Sequence, residues 1–195
     1  MLKKISYMTA GESHGKGLIG IVEGIPAGMN ITEEYIEKDL LRRMQGHGRG
    51  GRMKIEKDHA EIFSGVRHAI TLGSPISLLI KNFDWVNWED RMATGKPKKE
   101  HRKVTMPRPG HADLAGVMKY GLDDIRNVLE RSSARETAMR VAIGAVCRKL
   151  LEEVGITVGS RVYQIHNILD ETPVSNNMSL KELNDTVDAS PVRCF

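Results

Sequence analysis

The sequence predicts an α/β-type protein that mixes strands and helices. Three observations point there: short β-rich runs bounded by glycines between Lys4 and Ile80, a long helical repeat of small and apolar residues between Ala138 and Leu150, and polar connections between them. With 195 residues, 40% of them hydrophobic and 28% charged, the chain has a globular composition and enough length to bury one sizeable core. A single domain is expected.

Lys4 to Thr9 reads as a short strand that runs into the polar segment Gly11-Glu12-Ser13-His14-Gly15, after which apolar residues resume at Leu18-Ile19-Gly20-Ile21-Val22. Pro26 and Gly28 make a turn. Thr32 followed by Glu33 and Glu34 supplies a helix N-cap with an acidic first turn, Ile36, Leu40 and Met44 recur on one helical face, and Gly46 closes the segment. The stretch Gly46-His47-Gly48-Arg49-Gly50-Gly51-Arg52 is too rich in glycine for a helix and too basic for a core, so an exposed, flexible loop is expected. Strands follow at Glu61 to Val66 and Ile76 to Ile80. Residues 83 to 103 form a polar insertion with Trp85, Trp88 and several lysines, either a lid or a disordered excursion.

Ser133-Ala134-Arg135-Glu136 has capping-box spacing, and Ala138, Val141, Ala142, Ala145 and Leu150 repeat at helical spacing up to Gly155. The small residues on this face predict close packing against a sheet or a second helix. Ile156 to Ile165 reads as a strand, and a short helix is expected near Leu180 to Val187.

Composition narrows the function classes. No apolar run approaches the ~20 residues that cross a bilayer, and the start Met1-Leu2-Lys3-Lys4 leads into no apolar signal core, so no membrane partner and a cytoplasmic location are expected. The two cysteines, Cys147 and Cys194, have neither disulfide-framework nor zinc spacing. Histidines 47, 59, 68, 101 and 166 show no metal-binding spacing either. A net charge of +4 and a pI near 9.1 suit an anionic partner.

Three segments carry polar groups that an apolar core would reject. In the first, Ser13 and His14 sit among glycines that allow a ligand close to the backbone; a turn with an exposed histidine is the plainer alternative. The second is the basic loop with Arg42, Arg43, Arg49 and Arg52, whose guanidinium forks match phosphate and carboxylate. A solvated charge run explains it equally well. The third is Arg108-Pro109-Gly110-His111-Ala112-Asp113 together with Arg131-Ser132-Ser133-Ala134-Arg135. Ser132 and Ser133 fall at the expected helix start, where free N–H groups favour an anion, although Ser133 could equally be a helix cap and nothing more. His111, in a stiff turn, is a candidate acid because imidazole titrates near neutral pH. From residues alone the reading reaches a protein that binds a small, multiply anionic ligand between arginines, with two candidate histidine acids. The reaction is not readable from spacing.

At these same segments the chain resembles the chorismate synthase family. The resemblance rests on Gly11-Glu12-Ser13-His14-Gly15, Gly24-Ile25-Pro26-Ala27-Gly28, the Arg42-Arg43 to Arg49 loop, Arg108-Pro109-Gly110-His111-Ala112-Asp113, and Arg131-Ser132-Ser133-Ala134-Arg135-Glu136-Thr137, five blocks in the family's order. It implies an α+β fold in which antiparallel sheets sandwich long helices, assembled as a homotetramer. It implies the anti-1,4 elimination of phosphate from 5-enolpyruvylshikimate 3-phosphate to give chorismate, with reduced FMN bound beside this small phosphorylated substrate. By resemblance, His14 is an acid at the leaving phosphate and His111 protonates the reduced flavin or its surroundings. Ser13, Arg43, Arg49, Arg108 and Arg135 hold the substrate, and Arg131, Ser132 and Ser133 contact FMN. Arg43 and Arg49 also match positions for NADP, relevant to members that use NADPH to reduce their own flavin.

Asn127-Val128-Leu129-Glu130 stands where many members have a glycine run, a variant carried by another branch of the family. Members also continue well past the position of Phe195, and their later half supplies further flavin contacts and an aspartate that accepts a proton. The chain is therefore expected to be the N-terminal part, residues 1–195, of a single chorismate synthase domain that ends before the enzyme is complete. Two other readings compete. An inactive remnant would bind anionic ligands or only oligomerise. A basic nucleic-acid module is disfavoured, because aromatics are only 5% of the chain and the arginines interleave with a histidine-and-serine pocket.

Overall fold

The computed structural model describes residues 4–48, 55–175 and 177–194. In chain order the elements are β1 (Ser6–Ala10), β2 (Gly17–Glu23), α1 (Glu33–Met44), β3 (Glu61–Ser64), β4 (Val66–Arg67), β5 (Ile70–Thr71) and β6 (Ile76–Lys81). These are followed by α2 (Asp113–Tyr120), α3 (Arg126–Leu129), α4 (Glu136–Glu153), β7 (Gln164–Ile165), β8 (Ile168–Leu169) and α5 (Leu180–Ala189). The class is α+β, with antiparallel sheets and helices.

The main sheet has the order β1-β2-β6-β3 and is antiparallel throughout. Alternation assigns its faces. Leu18 and Val22 on β2 and Ile76, Leu78 and Ile80 on β6 are buried, whereas Ile19 and Ile21 lie on the opposite, exposed face. The buried face is covered by α4 through Ala138, Met139, Ala142, Ile143, Ala145 and Val146, and α4 in turn packs against α1, which contributes Ile36 and Leu40 to the same core. Gly20 permits this approach, since a Cβ there would lie 2.5 Å from the Met139 sulfur. The small residues read from the sequence therefore serve both the sheet and a second helix.

Helix α1 begins as its sequence predicts, with the Thr32 side chain accepting from the Tyr35 N–H. The expected capping box at Ser133 does not form. The chain is already in turns before Glu136, so the N–H groups of Glu136, Thr137 and Ala138 donate to the carbonyls of Ser133, Ala134 and Arg135 at 3.0–3.1 Å. The N-cap residue is Arg135, with no side-chain cap, and the Glu136 carboxylate receives Thr9 and Arg140 instead. A complete capping box does occur, at Ser179 and Glu182 ahead of α5.

The strand expected over Ile156 to Ile165 shrinks to Gln164–Ile165, paired with β8 in a two-stranded hairpin. Ile156 and Val158 are exposed, and β-rich side chains form a strand only where an edge is present to pair with. Helices α2 and α3 were not anticipated. Residues 83 to 103 are folded: Phe83–Asn87 is a 3-10 turn, Trp88 Nε1 donates to Asp84, and His101 pairs with Asp90 at 2.8 Å.

Candidate active site around His14

The loop between β1 and β2 is shaped by its glycines and pinned from β6. Gly11 has φ +108° and no room for a Cβ, which would lie 2.4 Å from the Gly17 carbonyl oxygen. Asn82, buried just beyond β6, donates its amide to the carbonyls of Glu12 (3.0 Å) and Gly15 (2.8 Å), and its N–H donates to the Lys16 carbonyl. The loop therefore presents Ser13 and His14 from fixed backbone.

Ser13 is buried, and its hydroxyl donates to Ser133 Oγ at 3.0 Å. His14 is half-buried. Its Nδ1 lies 2.9 and 3.0 Å from the two oxygens of Glu130, its N–H donates to Glu130 Oε2, and its ring stacks on Trp88 with centroids 3.9 Å apart. Burial opposes the Glu130 charge, but hydrogen bonds from the His14 ring and N–H, with the Arg126 guanidinium, outweigh it and hold the carboxyl below its ordinary range. Glu130 and Trp88 are contacts that the sequence reading missed.

A second cluster forms around Asp58. Arg135 is 5% exposed, and its guanidinium pairs with Asp58, donates to Asn82 Oδ1 at 2.9 Å and lies 3.5 Å from Glu56. Arg43, from α1, reaches the other Asp58 oxygen at 3.0 Å and donates to the Ala134 carbonyl and Thr137 hydroxyl. Asp58 thus joins two of the expected substrate arginines from elements far apart in sequence. Arg49 and Arg52, with most of the basic loop, lie outside the described residues.

The third cluster is built on Asp113, fully buried at the start of α2. Arg108 donates to it through its N–H and guanidinium at 2.8–3.0 Å, and His111 Nδ1 lies 2.7 Å from Oδ1. The Arg108 hydrogen bond leads in pulling the Asp113 carboxyl far below its ordinary range, against the opposing effect of burial. The Arg108 side chain keeps half its surface exposed. The Glu130 charge also acts on Arg108, adding to the pull of Asp113 that raises its pKa.

Arg131 donates to the Thr9 carbonyl and hydroxyl at 2.9 and 2.7 Å, while its Nη1 is buried, has no hydrogen-bond acceptor among the described residues and lies 3.5 Å from Glu136. Ser132 and Ser133 are half-buried beside it. The bare helix start expected there is not present, since the first N–H groups of α4 are already bonded, so an anion would be met by these side chains. Among the described residues no group of three or more His, Cys, Asp or Glu could hold a metal ion. Burial pushes the Cys147 thiol upward, away from reactivity. No helix among the described residues is long and apolar enough to cross a membrane.

Comparison with known proteins bears on the chain as a whole. The chorismate synthase family model matches residues 5–195. A chorismate synthase of Geobacillus sp. (strain WCH70) is 54% identical over 192 residues, covering 97% of this chain and 49% of that protein. One from Syntrophomonas wolfei subsp. wolfei is 56% identical over 189 residues, covering 96% and 48%. A chorismate synthase crystal structure superposes with a TM-score of 0.76 at 42% identity, covering 100% of this chain and 50% of that one. The chain spans about half the length of the curated relatives it matches. With the family model spanning residues 5–195 and relatives more than 50% identical over nearly all of its length, the chain belongs to the chorismate synthase family.

Proposed function

We propose that the full-length protein containing this chain is a chorismate synthase, a lyase that eliminates phosphate from 5-enolpyruvylshikimate 3-phosphate to form chorismate. The observation that carries this reading is the His14 imidazole fastened through Nδ1 to a buried carboxylate, on a loop whose close backbone turn needs glycine at position 11. His14 then presents Nε2 to the leaving phosphate. It donates a proton to the departing oxygen as the C–O bond breaks and the phosphate leaves with the electron pair, and loss of a proton from the substrate ring to a base outside this chain supplies the electrons of the new double bond.

Arg108 is the direct substrate contact in this reading because its exposed face can take a second anion, and Ser13, buried against Ser133, is a contact carried by the resemblance. Arg43 and Arg135 have their orientations set by Asp58, and they orient and neutralise the anionic end of the site, with Arg49 a further contact carried by the resemblance. The residues present fit FMN: Arg131 brings a buried nitrogen that has no hydrogen-bond acceptor among the described residues, and Ser132 and Ser133 bring hydroxyls beside it. Bound in reduced form, FMN supplies electron density to the substrate as phosphate departs. His111, held through Nδ1–H by Asp113, keeps Nε2 for a proton at the flavin side.

NADP does not gain the same support. The described one of its two expected residues, Arg43, directs its guanidinium at Asp58, Ala134 and Thr137, and no step is derived through that cofactor. Assembly as a homotetramer, a cytoplasmic location and the assignment of residues 1–195 to the first part of one domain belong to this reading through the family resemblance.

Anaerobic incubation of the full-length protein with the substrate and dithionite-reduced FMN tests it. Phosphate and chorismate are expected in equal amounts. Failure to release phosphate, or release without chorismate, contradicts the assignment.

A further inference from the structure

Glu130 grips two consecutive residues of the β1–β2 loop at once. Its carbonyl accepts the Ser13 N–H at 3.0 Å, and its carboxylate accepts the His14 N–H at 2.9 Å and approaches His14 Nδ1 through both oxygens. It is 2% exposed, and Arg126 Nη1 donates to Oε1 at 3.0 Å, so the charge is compensated inside the protein. An ionised carboxylate can only accept, so Nδ1 carries a proton, and the form of His14 that can donate from Nε2 is the imidazolium, protonated on both ring nitrogens. Trp88, from the 83–103 segment, stacks on the ring with 30° between planes, and the Arg126 guanidinium lies 5.0 Å from the same indole. Asp84 is 4.0 Å from Nε2, too far for a hydrogen bond, and its oxygens receive Trp88 Nε1 and Asn87.

We propose that Glu130 is the positioning residue for His14: its carboxylate keeps Nδ1 protonated and aims the Nε2 side of the imidazolium at the leaving group, while Arg126 secures the carboxylate and Trp88 the ring plane. The proposal rests on His14 being the acid, and the test separates the two statements.

The experiment is a double-mutant cycle in the full-length protein, using Glu130→Gln, His14→Ala and the pair, with kcat and KM measured for each. Glu130→Gln is expected to lower kcat by about 10- to 10²-fold, the usual cost of losing the group that orients a functional histidine, with little change in KM. In the His14→Ala background the same change should alter kcat by less than about twofold, because the carboxylate then has no ring to orient. Equal losses in both backgrounds would overturn the positioning role and leave His14 as the acid. Normal turnover by His14→Ala would overturn both.

A second measurement needs neither a variant nor turnover. With 15N-labelled histidine, long-range proton–nitrogen correlations should show a proton on His14 Nδ1, held in a hydrogen bond, in both the neutral ring and the imidazolium. An Nε2–H tautomer would contradict the proposal even if Glu130→Gln does not fold.

Discussion

His14→Ala in the full-length protein is expected to lower turnover by about 10²- to 10⁴-fold, the usual contribution of a positioned proton donor. His111→Ala is expected to fall in the same range. The two losses have different structural settings. His14 lies against Glu130 and Trp88, and removing its ring leaves Glu130 still paired with Arg126. His111 shares Asp113 with Arg108, which remains when the imidazole is gone. Neither substitution strands a buried charge, so the unfolding midpoint should move little. Steady-state phosphate release, with thermal unfolding of the same preparations, checks this. Near-normal turnover in either variant removes that residue from the catalytic set.

The second large effect is on stability. Asp58→Ala should cost about 3–5 kcal/mol, the range for leaving a buried ion pair half-made, a large share of the roughly 5–15 kcal/mol that holds a protein folded. Asp58 is 2% exposed and bridges Arg43 of α1 and Arg135 at the start of α4, so its loss leaves Arg135 with Glu56 at 3.5 Å as its remaining carboxylate. Urea unfolding of the full-length protein measures it, read as a fall in midpoint at constant slope. A cost below about 1 kcal/mol would mean that Glu56, Asn82 and the Lys81 carbonyl satisfy the arginines without it.

The elements readable in the sequence are those specified locally. Thr32 caps α1 because the bond spans only three residues. The small face of α4 announced its close packing, although the helix starts later than the Ser133 spacing suggests because preceding turns satisfy its first N–H groups. The Ile156 to Ile165 run has β-type residues, but strand formation depends on a neighbouring edge that no local pattern encodes.

The candidate site divides in the same way. Ser13, His14, Arg108, Arg131 and His111 stood out by residue type and setting. Their partners did not: His14 and Glu130 are 116 residues apart, and Arg135 and Asp58 are 77 apart. A lone carboxylate carries no mark of a contact at such separation. Asp113 was the exception within reach, since five residues separate it from Arg108 across a Pro-Gly turn, and that spacing could have identified it as the anchor of both Arg108 and His111. Asn82 gave no signal, although it fastens the His14 loop to β6 and to Arg135.

In the proposed function His14 stands at the leaving phosphate of a site whose arginines are set by Asp58 and Asp113. A crystal structure of the full-length protein with 5-enolpyruvylshikimate 3-phosphate and FMN bound tests this most directly. The account predicts a substrate phosphate oxygen within about 2.6–3.2 Å of His14 Nε2, the reach required for proton transfer, with Nδ1 still on Glu130. A phosphate seated away from His14, or a His14 ring turned so that Nε2 meets Glu130, would contradict it.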